Sequence, residues 1–335
     1  MSKNLDVKVK IDLAKPVGKV GFGVPLLYQV NGMDKGAIPY TECYSMSDVV
    51  ALGIDADGAF KPLYDAALAI FSQDNAPEKI AVECCDAVNA KSWLSNIANT
   101  SKNWRHFINV DGDYDAEVAE IIDTLEGKVY FADVKDTALA SLTATHEKTV
   151  LCAYKGDTKF AAAIVGATAG LTIGSFTYKN IVLKGVTPDN YTETELSAIH
   201  AKNAIGVLTK AGDVVTSDGK TAAGEYIDIV DSNDYVVQNI EYKIQKLLNE
   251  NKKVPYTDVG ISMLQSAVTS ALHNAFLNGI IDADENGNPV YTVNFALRNQ
   301  TSEEDRLARK YPYGQFTYAL VGAIHTVEVT GEIEL

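Results

Sequence analysis

The sequence predicts an α/β unit followed by an α+β unit, with a β-strand segment near each end of the chain. Helical and strand patterns alternate from about residue 58 to residue 168, whereas Gly- and Thr-rich runs dominate after Gly170. Alternating strands and helices are typical of a mostly parallel sheet that helices cover on both sides. A chain of 335 residues exceeds the usual length of one domain, so two compact units are expected.

The first unit is predicted to be doubly wound and to span residues 23–170. Lys61 and Pro62 open its first clear helix, because proline is favoured in a first turn, and the apolar stripe of this helix ends at Phe71. Apolar runs typical of buried strands occur at 80–84, 107–110, 129–132 and 149–154. Helical apolar faces alternate with them at 93–97, 118–125 and 158–168.

The second unit is predicted to span residues 171–324 and to mix short strands with long helices. Strands and hairpins are expected at 171–183, 204–209 and 226–230, where Gly and Asp mark the turns. Thr192 and Glu195 form a capping box that predicts a short helix, since each side chain can satisfy a backbone amide of the other. Longer amphipathic helices are expected at 236–248 and 261–276.

Both ends of the chain alternate strictly between apolar and polar residues, which is the period of a β-strand. In the N-terminal arm (residues 1–22) the pattern is carried by Leu5, Val7, Lys8, Val9, Lys10 and Ile11. In the C-terminal arm (residues 325–335) it is carried by Val327, Val329, Glu332, Ile333, Glu334 and Leu335. Because chain ends usually fray, such strands call for partners. Each arm either closes a sheet of its own unit or adds a strand to a neighbouring subunit.

Charge and hydrophobicity exclude several classes of function. The net charge is −15 and the pI is about 4.8, so no nucleic-acid partner is expected, because such binding needs clustered Lys and Arg. The first residues lack the apolar run of a signal peptide, and no stretch is long enough to predict membrane insertion. The cysteines Cys43, Cys84, Cys85 and Cys152 have no metal spacing and are expected to be reduced thiols.

The apparent metal and nucleotide motifs lack essential residues. Residues 282–287 imitate the start of a calcium loop, but Val293 stands where a bidentate Glu is required. Gly166 and Gly170 are not followed by Lys and Ser or Thr, so they do not form a phosphate-binding loop. We therefore expect no cofactor, no bound metal and no catalytic residue.

A small-molecule enzyme is the alternative interpretation of the α/β unit. In parallel sheets, ligands bind beyond the carboxyl ends of the strands, which here points to a pocket around Asp111, Asp133 and Lys155. The sequence offers only isolated charged residues at these positions.

Residues 301–310 form a helical segment that is acidic at its start and basic at its end. The basic residues are Arg306, Arg309 and Lys310. The segment is either a solvated helix or a contact surface for an oppositely charged partner.

Short motifs spread along the chain resemble those of phage tail sheath-like proteins. A helix ending in Phe71-Ser72-Gln73, with Pro77 leading into the next strand, is similar to one stretch of that family. The turn Lys184-Gly185-Val186-Thr187-Pro188, followed by a short helix, is similar to another. Further similar stretches lie at 224–228, 254–261, 309–312 and 322–331, in the same order as in the family. The chain departs from some sheaths in lacking their large outer insertions.

The resemblance implies a structural role and no enzymatic activity. Sheath proteins polymerise as stacked hexamers around a tail tube, so the implied partners are copies of this chain, the tube protein, and the baseplate and tail terminator. It implies an outer domain at residues 23–170, an inner, tube-facing domain at 171–324, and arms that add strands to neighbouring subunits. The basic residues Arg306, Arg309 and Lys310 are then a candidate tube contact. The implied location is the tail of a virion or of a phage-tail-like bacteriocin, assembled in the bacterial cytoplasm.

Overall fold

A computed structural model describes residues 24–31, 37–86, 90–97, 103–143 and 145–331. The first half of the chain contains six strands: β1 (Pro25–Asn31), β2 (Ile38–Cys43), β3 (Ile80–Asp86), β4 (His106–Asn109), β5 (Val129–Lys135) and β6 (Thr149–Tyr154). They form one sheet in the order β2-β3-β1-β4-β5-β6. All neighbouring pairs in it are parallel except β2 with β3, so the predicted parallel-rich sheet is confirmed.

Helices lie on both faces of this sheet. They are α1 (Met46–Ala51), α2 (Lys61–Phe71), α3 (Ala90–Ile97), α4 (Ala116–Thr124), α5 (Asp136–Leu139) and α6 (Ala161–Thr168). Apolar side chains of α1, α2 and α6 join the buried cluster on one face, and those of α3 and α4 join the cluster on the other. Because both faces are covered, the central strands are continuous apolar runs rather than alternating ones.

The segment that follows residue 170 packs against the same sheet. Its elements are α7 (Glu193–His200), which begins at the predicted capping box, and a hairpin of β7 (Val207–Lys210) and β8 (Asp213–Thr216). Tyr178, Leu183 and Ile227 belong to the same buried cluster as α2 and α6. This buried cluster therefore includes residues beyond Gly170. The domain boundary at residue 170 stays a prediction.

The C-terminal part is a helical hairpin that carries a small sheet. Its elements are α8 (Ile227–Glu250), α9 (Asp258–Leu277), β9 (Tyr291–Phe295), a 3-10 turn (Arg298–Gln300), α10 (Glu303–Leu307) and β10 (Gly314–Tyr318). Strands β9 and β10 pair antiparallel, and their inward side chains pack on α8 and α9 in a separate buried cluster. Both predicted long helices are confirmed, although α8 begins at Ile227 rather than near residue 236.

Two predicted strands are wrong. Residues 171–183 consist of turns with one isolated bridge at Val182, instead of a strand or hairpin. Residues 227–230, predicted as part of a strand, form the first turn of α8. A short apolar run cannot by itself distinguish a helix from a strand, and the helix is favoured here because it buries Ile227 and Asp231, one turn apart, on the same side.

The carboxylate of Asp133 caps α6 from a neighbouring strand. Phe160, which precedes α6, makes no side-chain cap of its own. Oδ1 of Asp133, on β5, accepts hydrogen bonds from the backbone N–H groups of Phe160 at 2.7 Å and Ala161 at 2.9 Å. Burial raises the pKa of Asp133 to about 6, although these two hydrogen bonds act in the opposite direction.

Replacing Asp133 by Asn is expected to change how stability depends on pH. In the wild type the folded state keeps the Asp133 proton up to a pKa of about 6, whereas an unfolded Asp loses it near pH ~4. The folded state therefore binds more protons in this window, so the free energy of unfolding falls as pH rises through it. Relative to the wild type, D133N should gain roughly 1–2 kcal/mol between pH 4.5 and pH 7.5. Urea denaturation at both pH values measures this, and a constant difference would contradict it.

Candidate assembly surfaces

The small sheet of β9 and β10 presents a backbone edge on β10, whereas on the edge of β9 the carbonyl of Val293 accepts a hydrogen bond from Nε2 of Gln265 on α9 at 3.1 Å. Within the described residues it contains these two strands alone. Tyr291, Val293 and Phe295 on β9 face the helices, whereas Thr292 points outward, where its hydroxyl lies 2.7 Å from that of Thr317 on β10. An unpaired edge is a template for a further strand, and two-stranded sheets are marginal on their own. This sheet is therefore a candidate acceptor for a strand of another chain.

The C-terminal arm lies along the surface without regular structure as far as it is described. Residues 322–331 contain neither helix nor strand, so the strand predicted there does not form in the isolated chain. Val327 is 74% exposed and Val329 is 89% exposed, and no strand of the described residues lies beside them to pair with. Other predicted arm residues lie outside the described residues, namely Leu5, Val7, Lys8, Val9, Lys10, Ile11, Glu332, Ile333, Glu334 and Leu335.

The structure separates the roles of the three basic residues near α10. The guanidinium of Arg306 is half-buried and donates hydrogen bonds to the carbonyl and hydroxyl of Thr301. Arg309 and Lys310 are exposed beyond the helix end. Arg309 has a φ of 57°, the left-handed conformation that glycine usually supplies at a helix end. The backbone N–H of Lys310 then reaches the carbonyl of Asp305 at 2.9 Å, which closes the helix.

A buried ionic network joins the large sheet to α8. The side chain of Arg105, which precedes β4, is 1% exposed and donates to Asp231, and also to Asp234 at 2.8 Å. The second oxygen of Asp231 accepts from the hydroxyl of Tyr178 at 2.8 Å. Sequence reasoning missed this network. The available signal was an arginine at the start of an apolar strand, since buried arginines are almost always paired.

The two motifs that carry the sheath resemblance contact each other. Gln73, at the end of α2, is buried, and its amide Nε2 donates to the carbonyl of Lys184 at 2.8 Å while its Oε1 accepts from the Lys184 N–H at 2.9 Å. Lys184 also forms an exposed ion pair with Asp74 at 2.6 Å. The amide of Gln73 thus binds both the N–H and the carbonyl of Lys184, as a neighbouring strand would. These two bonds hold the turn at Lys184 beside α2.

Gly166 and Gly170, which the sequence excludes as a phosphate loop, serve close packing. A Cβ on Gly166 would lie 2.6 Å from the Cα of Ile70, and one on Gly170 would lie 2.2 Å from the carbonyl oxygen of Asn75. These glycines let α6 and the turn after it approach the end of α2.

Each residue of the enzyme interpretation forms a contact of its own within the protein. The Asp111 carboxylate accepts a hydrogen bond from the backbone N–H of Val30. The Asp133 carboxylate caps α6, and Lys155 forms an ion pair with Glu195 at 2.6 Å. A groove of about 1090 Å³ opens instead beside Arg105 and His106, at the amino end of β4, between α8 and α9 and the segment after α6. Ligands of parallel sheets bind at the opposite, carboxyl end of the strands.

The acidic loop at 282–287 is stabilised by its own amides. Asp284 accepts hydrogen bonds from the N–H groups of Asn286 at 2.9 Å and Asn288 at 2.8 Å. The bonds from Asn288 contribute most to lowering the pKa of Asp284. Among the described residues, no group of three or more His, Cys, Asp or Glu side chains could hold a metal ion.

Calcium, EDTA and nucleotides are each expected to leave thermal stability unchanged. A ligand that binds the folded state raises its stability in proportion to the logarithm of its concentration. The carboxylate of Asp284 already accepts hydrogen bonds from backbone N–H groups of its own loop, so we expect it not to bind calcium. The melting temperature should therefore move by less than about 1 °C with each addition. Differential scanning fluorimetry measures this, and a clear shift with any of the three would contradict it.

The C-terminal third of the chain matches a known family. Residues 227–333 match the sequence model described as E217 tail sheath protein gp31-like, C-terminal domain. This match begins at the first residue of α8. No curated protein sequence matches the chain.

Solved sheath and baseplate structures have a similar fold over the whole chain. A chain of the anti-feeding prophage baseplate, described as 6-fold symmetrised, is 15% identical with a TM-score of 0.76, and 100% of each chain is covered. A chain of the contracted PVC sheath, from an extracellular contractile injection system, is 13% identical with a TM-score of 0.70 and coverage of 99% and 98%. The sheath tail protein from Desulfitobacterium hafniense is 10% identical with a TM-score of 0.57 and coverage of 96% and 100%.

The chain therefore has the fold of contractile sheath proteins. Its residues 227–333 match the tail sheath C-terminal domain of the E217 gp31-like family, so the resemblance drawn from its short motifs is confirmed. Among the described residues, no helix combines the length and apolar character needed to cross a membrane.

Proposed function

We propose that this chain is the structural subunit of a contractile tail sheath, which polymerises as stacked hexamers around a tail tube and contracts to drive the tube through a target envelope. The observation that carries the proposal is the coincidence of a sheath family match with a sheath fold over the whole chain. One similar structure is described as a contracted sheath and another as part of a 6-fold symmetrised baseplate. These descriptions support contraction and sixfold rings for this chain.

The partners of the subunit are copies of itself, the tail tube protein, and the baseplate and tail terminator. The particle is a virion tail or a phage-tail-like particle assembled in the bacterial cytoplasm. The doubly wound domain at 23–170 faces outward and the domain at 171–324 faces the tube. The acidic balance of the chain argues against a nucleic-acid partner.

The two arms link neighbouring subunits by strand addition. The β10 edge of the small sheet supports this role, because it can accept a strand from another copy. The exposed valines of the C-terminal arm also support it, since they gain burial only when a neighbouring sheet covers them.

The enzyme alternative has less support. It requires converging polar groups in a pocket beyond the carboxyl ends of the strands. Asp133 and Lys155 are committed to contacts that stabilise α6 and α7.

Electron microscopy of the expressed full-length chain tests the proposal directly. Tubes or sheaths with helical order are expected, in the presence of the tube protein if not alone. Dispersed monomers under both conditions, in a sample that melts cooperatively, would contradict the sheath role and favour the enzyme alternative.

Reversing the charge of Arg309 and Lys310 is expected to weaken docking onto the tube. Both side chains are exposed, whereas Arg306 holds the loop at Thr301 and its replacement would also disturb folding. If the exposed pair faces an acidic patch, R309E/K310E should reduce co-sedimentation with tube at least about tenfold, and high salt should have the same effect on the wild type.

The matched control is K252E/K253E, which makes the same charge change at two exposed lysines beyond the end of α8. This variant should dock as the wild type does. Equal docking by R309E/K310E and the wild type would remove the end of α10 from the tube contact.

A further inference from the structure

Among the described residues, an aromatic contact of His325 joins the C-terminal arm to the body of the subunit. The last backbone hydrogen bond before the arm is made by the N–H of Val321 to the carbonyl of Ile280, at 3.0 Å. Within the described chain, residues 322–331 make no hydrogen bond, and Ile324 is 85% exposed. His325 differs from its neighbours, because it is half-buried.

His325 packs against the residue that begins α8. Its ring meets the ring of Tyr226 edge to face, with 5.1 Å between the centroids and 78° between the planes. Tyr226 is the N-cap of α8 and pairs with Lys220, whose Nζ lies 5.4 Å from the centre of the same ring. The ring that receives His325 is therefore held in place by its own backbone and by a cation.

The contact between His325 and Tyr226 is a packing of two rings, without a hydrogen bond. Nε2 of His325 and Oδ1 of Asp228 are both buried, and neither has a hydrogen-bond partner among the described residues. His325 is near enough to lower the pKa of Asp228, although burial outweighs this and raises it overall.

We propose that His325 is a positioning residue that fixes the point at which the C-terminal arm leaves the subunit, so that a second copy of this chain captures the arm from a defined place. This inference rests on the proposed role of the arm in strand addition. Without the contact, the free chain begins after Val321. With the contact, the free chain begins after His325, which is held at the start of α8. The arm then explores a smaller volume, so its effective concentration at a neighbouring subunit is higher.

The test compares variants of the full-length chain in an assembly assay that measures the critical concentration by light scattering. H325A should raise the critical concentration at least about fivefold, because the arm loses its fixed exit point. H325F should stay within about twofold of the wild type, since it keeps an aromatic ring without nitrogens. H273A, at an exposed histidine of α9, is the matched control and should also stay within about twofold.

Two further measurements separate positioning from folding. The melting temperature of H325A should equal that of the wild type within about 2 °C, since the substitution removes one ring contact of a half-buried side chain. Hydrogen exchange should be faster in H325A at the start of α8. The double variant H325A/Y226L should assemble no worse than H325A, because the two substitutions break one contact.

The outcomes distinguish this inference from the proposed function. If a chain lacking residues 326–335 fails to assemble while H325A assembles as the wild type does, the positioning role is wrong and the role of the arm stands. If H325A no longer melts cooperatively, the contact belongs to the folded core and the inference is wrong. If the shortened chain assembles normally, the role of the arm itself is wrong.

Discussion

Replacing Arg105 by methionine is expected to lower the free energy of unfolding by about 3–5 kcal/mol. The side chain of Arg105 is 1% exposed and that of Asp231 is 2% exposed, so the substitution leaves a carboxylate buried without its cation. Breaking one partner of a buried pair is costly, because the other partner keeps its desolvation penalty. The loss should appear as a lower midpoint of urea denaturation with an unchanged slope.

Two variants determine the origin of this loss. In R105M/D231L both charges are replaced by apolar groups, so a large part of the stability should return. K61M breaks the pair between Lys61 and Asp65, whose side chains are more than half exposed, and should cost less than about 0.5 kcal/mol. If R105M lowers the free energy of unfolding by less than about 1 kcal/mol, the cost of leaving Asp231 buried without its cation is small, and this prediction is wrong.

The network has a consequence for the proposed sheath. Arg105 lies beside the large sheet and Asp231 lies on α8, at the beginning of the segment that matches the sheath family. The buried pair therefore ties the family-matched part to the α/β sheet.

Deleting residues 325–335, or residues 1–13, is expected to abolish extended sheath while leaving a soluble, folded subunit. Burying the four aliphatic side chains of an arm is worth at most ~6–12 kcal/mol. Ordering about nine residues costs ~1–2 kcal/mol each, so an arm gains little without a partner sheet. The C-terminal arm, as far as it is described, accordingly contains no strand in the isolated chain.

Electron microscopy, together with thermal denaturation, measures both parts of this expectation. The control is a deletion-free chain in which Glu285 and Asn286 of the exposed 282–287 loop are replaced by alanine, and it should assemble normally. If either truncation unfolds the monomer, that arm is an internal strand of its own domain, and strand exchange through it is excluded.

Charge reversal tests which arm residues meet. If Lys8 and Lys10 of one arm face Glu332 and Glu334 of another across a shared sheet, K8E/K10E should impair assembly. Adding E332K/E334K should restore part of it. Absence of any rescue would mean that these charges do not pair.

The sequence by itself determined the features that depend on local periodicity. The alternation from about residue 58 predicts four of the six strands of the large sheet, β3 to β6, because helices repeat apolar residues every three to four positions whereas buried strands are short continuous apolar runs. It does not predict β1 and β2, which precede that stretch. The capping box at Thr192 predicts the start of α7, because both halves of the motif lie within one turn. The short motifs also pointed to the sheath family, since they occur in the same order along the chain.

Only the tertiary structure decided the features that join distant segments. The cap of α6 comes from Asp133, which lies 27 residues before Phe160, and the partner of Arg105 lies 126 residues away. The start of α8 is set by the burial of Ile227 against the sheet. A short apolar run in the sequence does not by itself indicate whether such a residue begins a helix or lies in a strand. The C-terminal arm has the period of a strand, but a strand needs a backbone beside it, and no described segment of this chain supplies one.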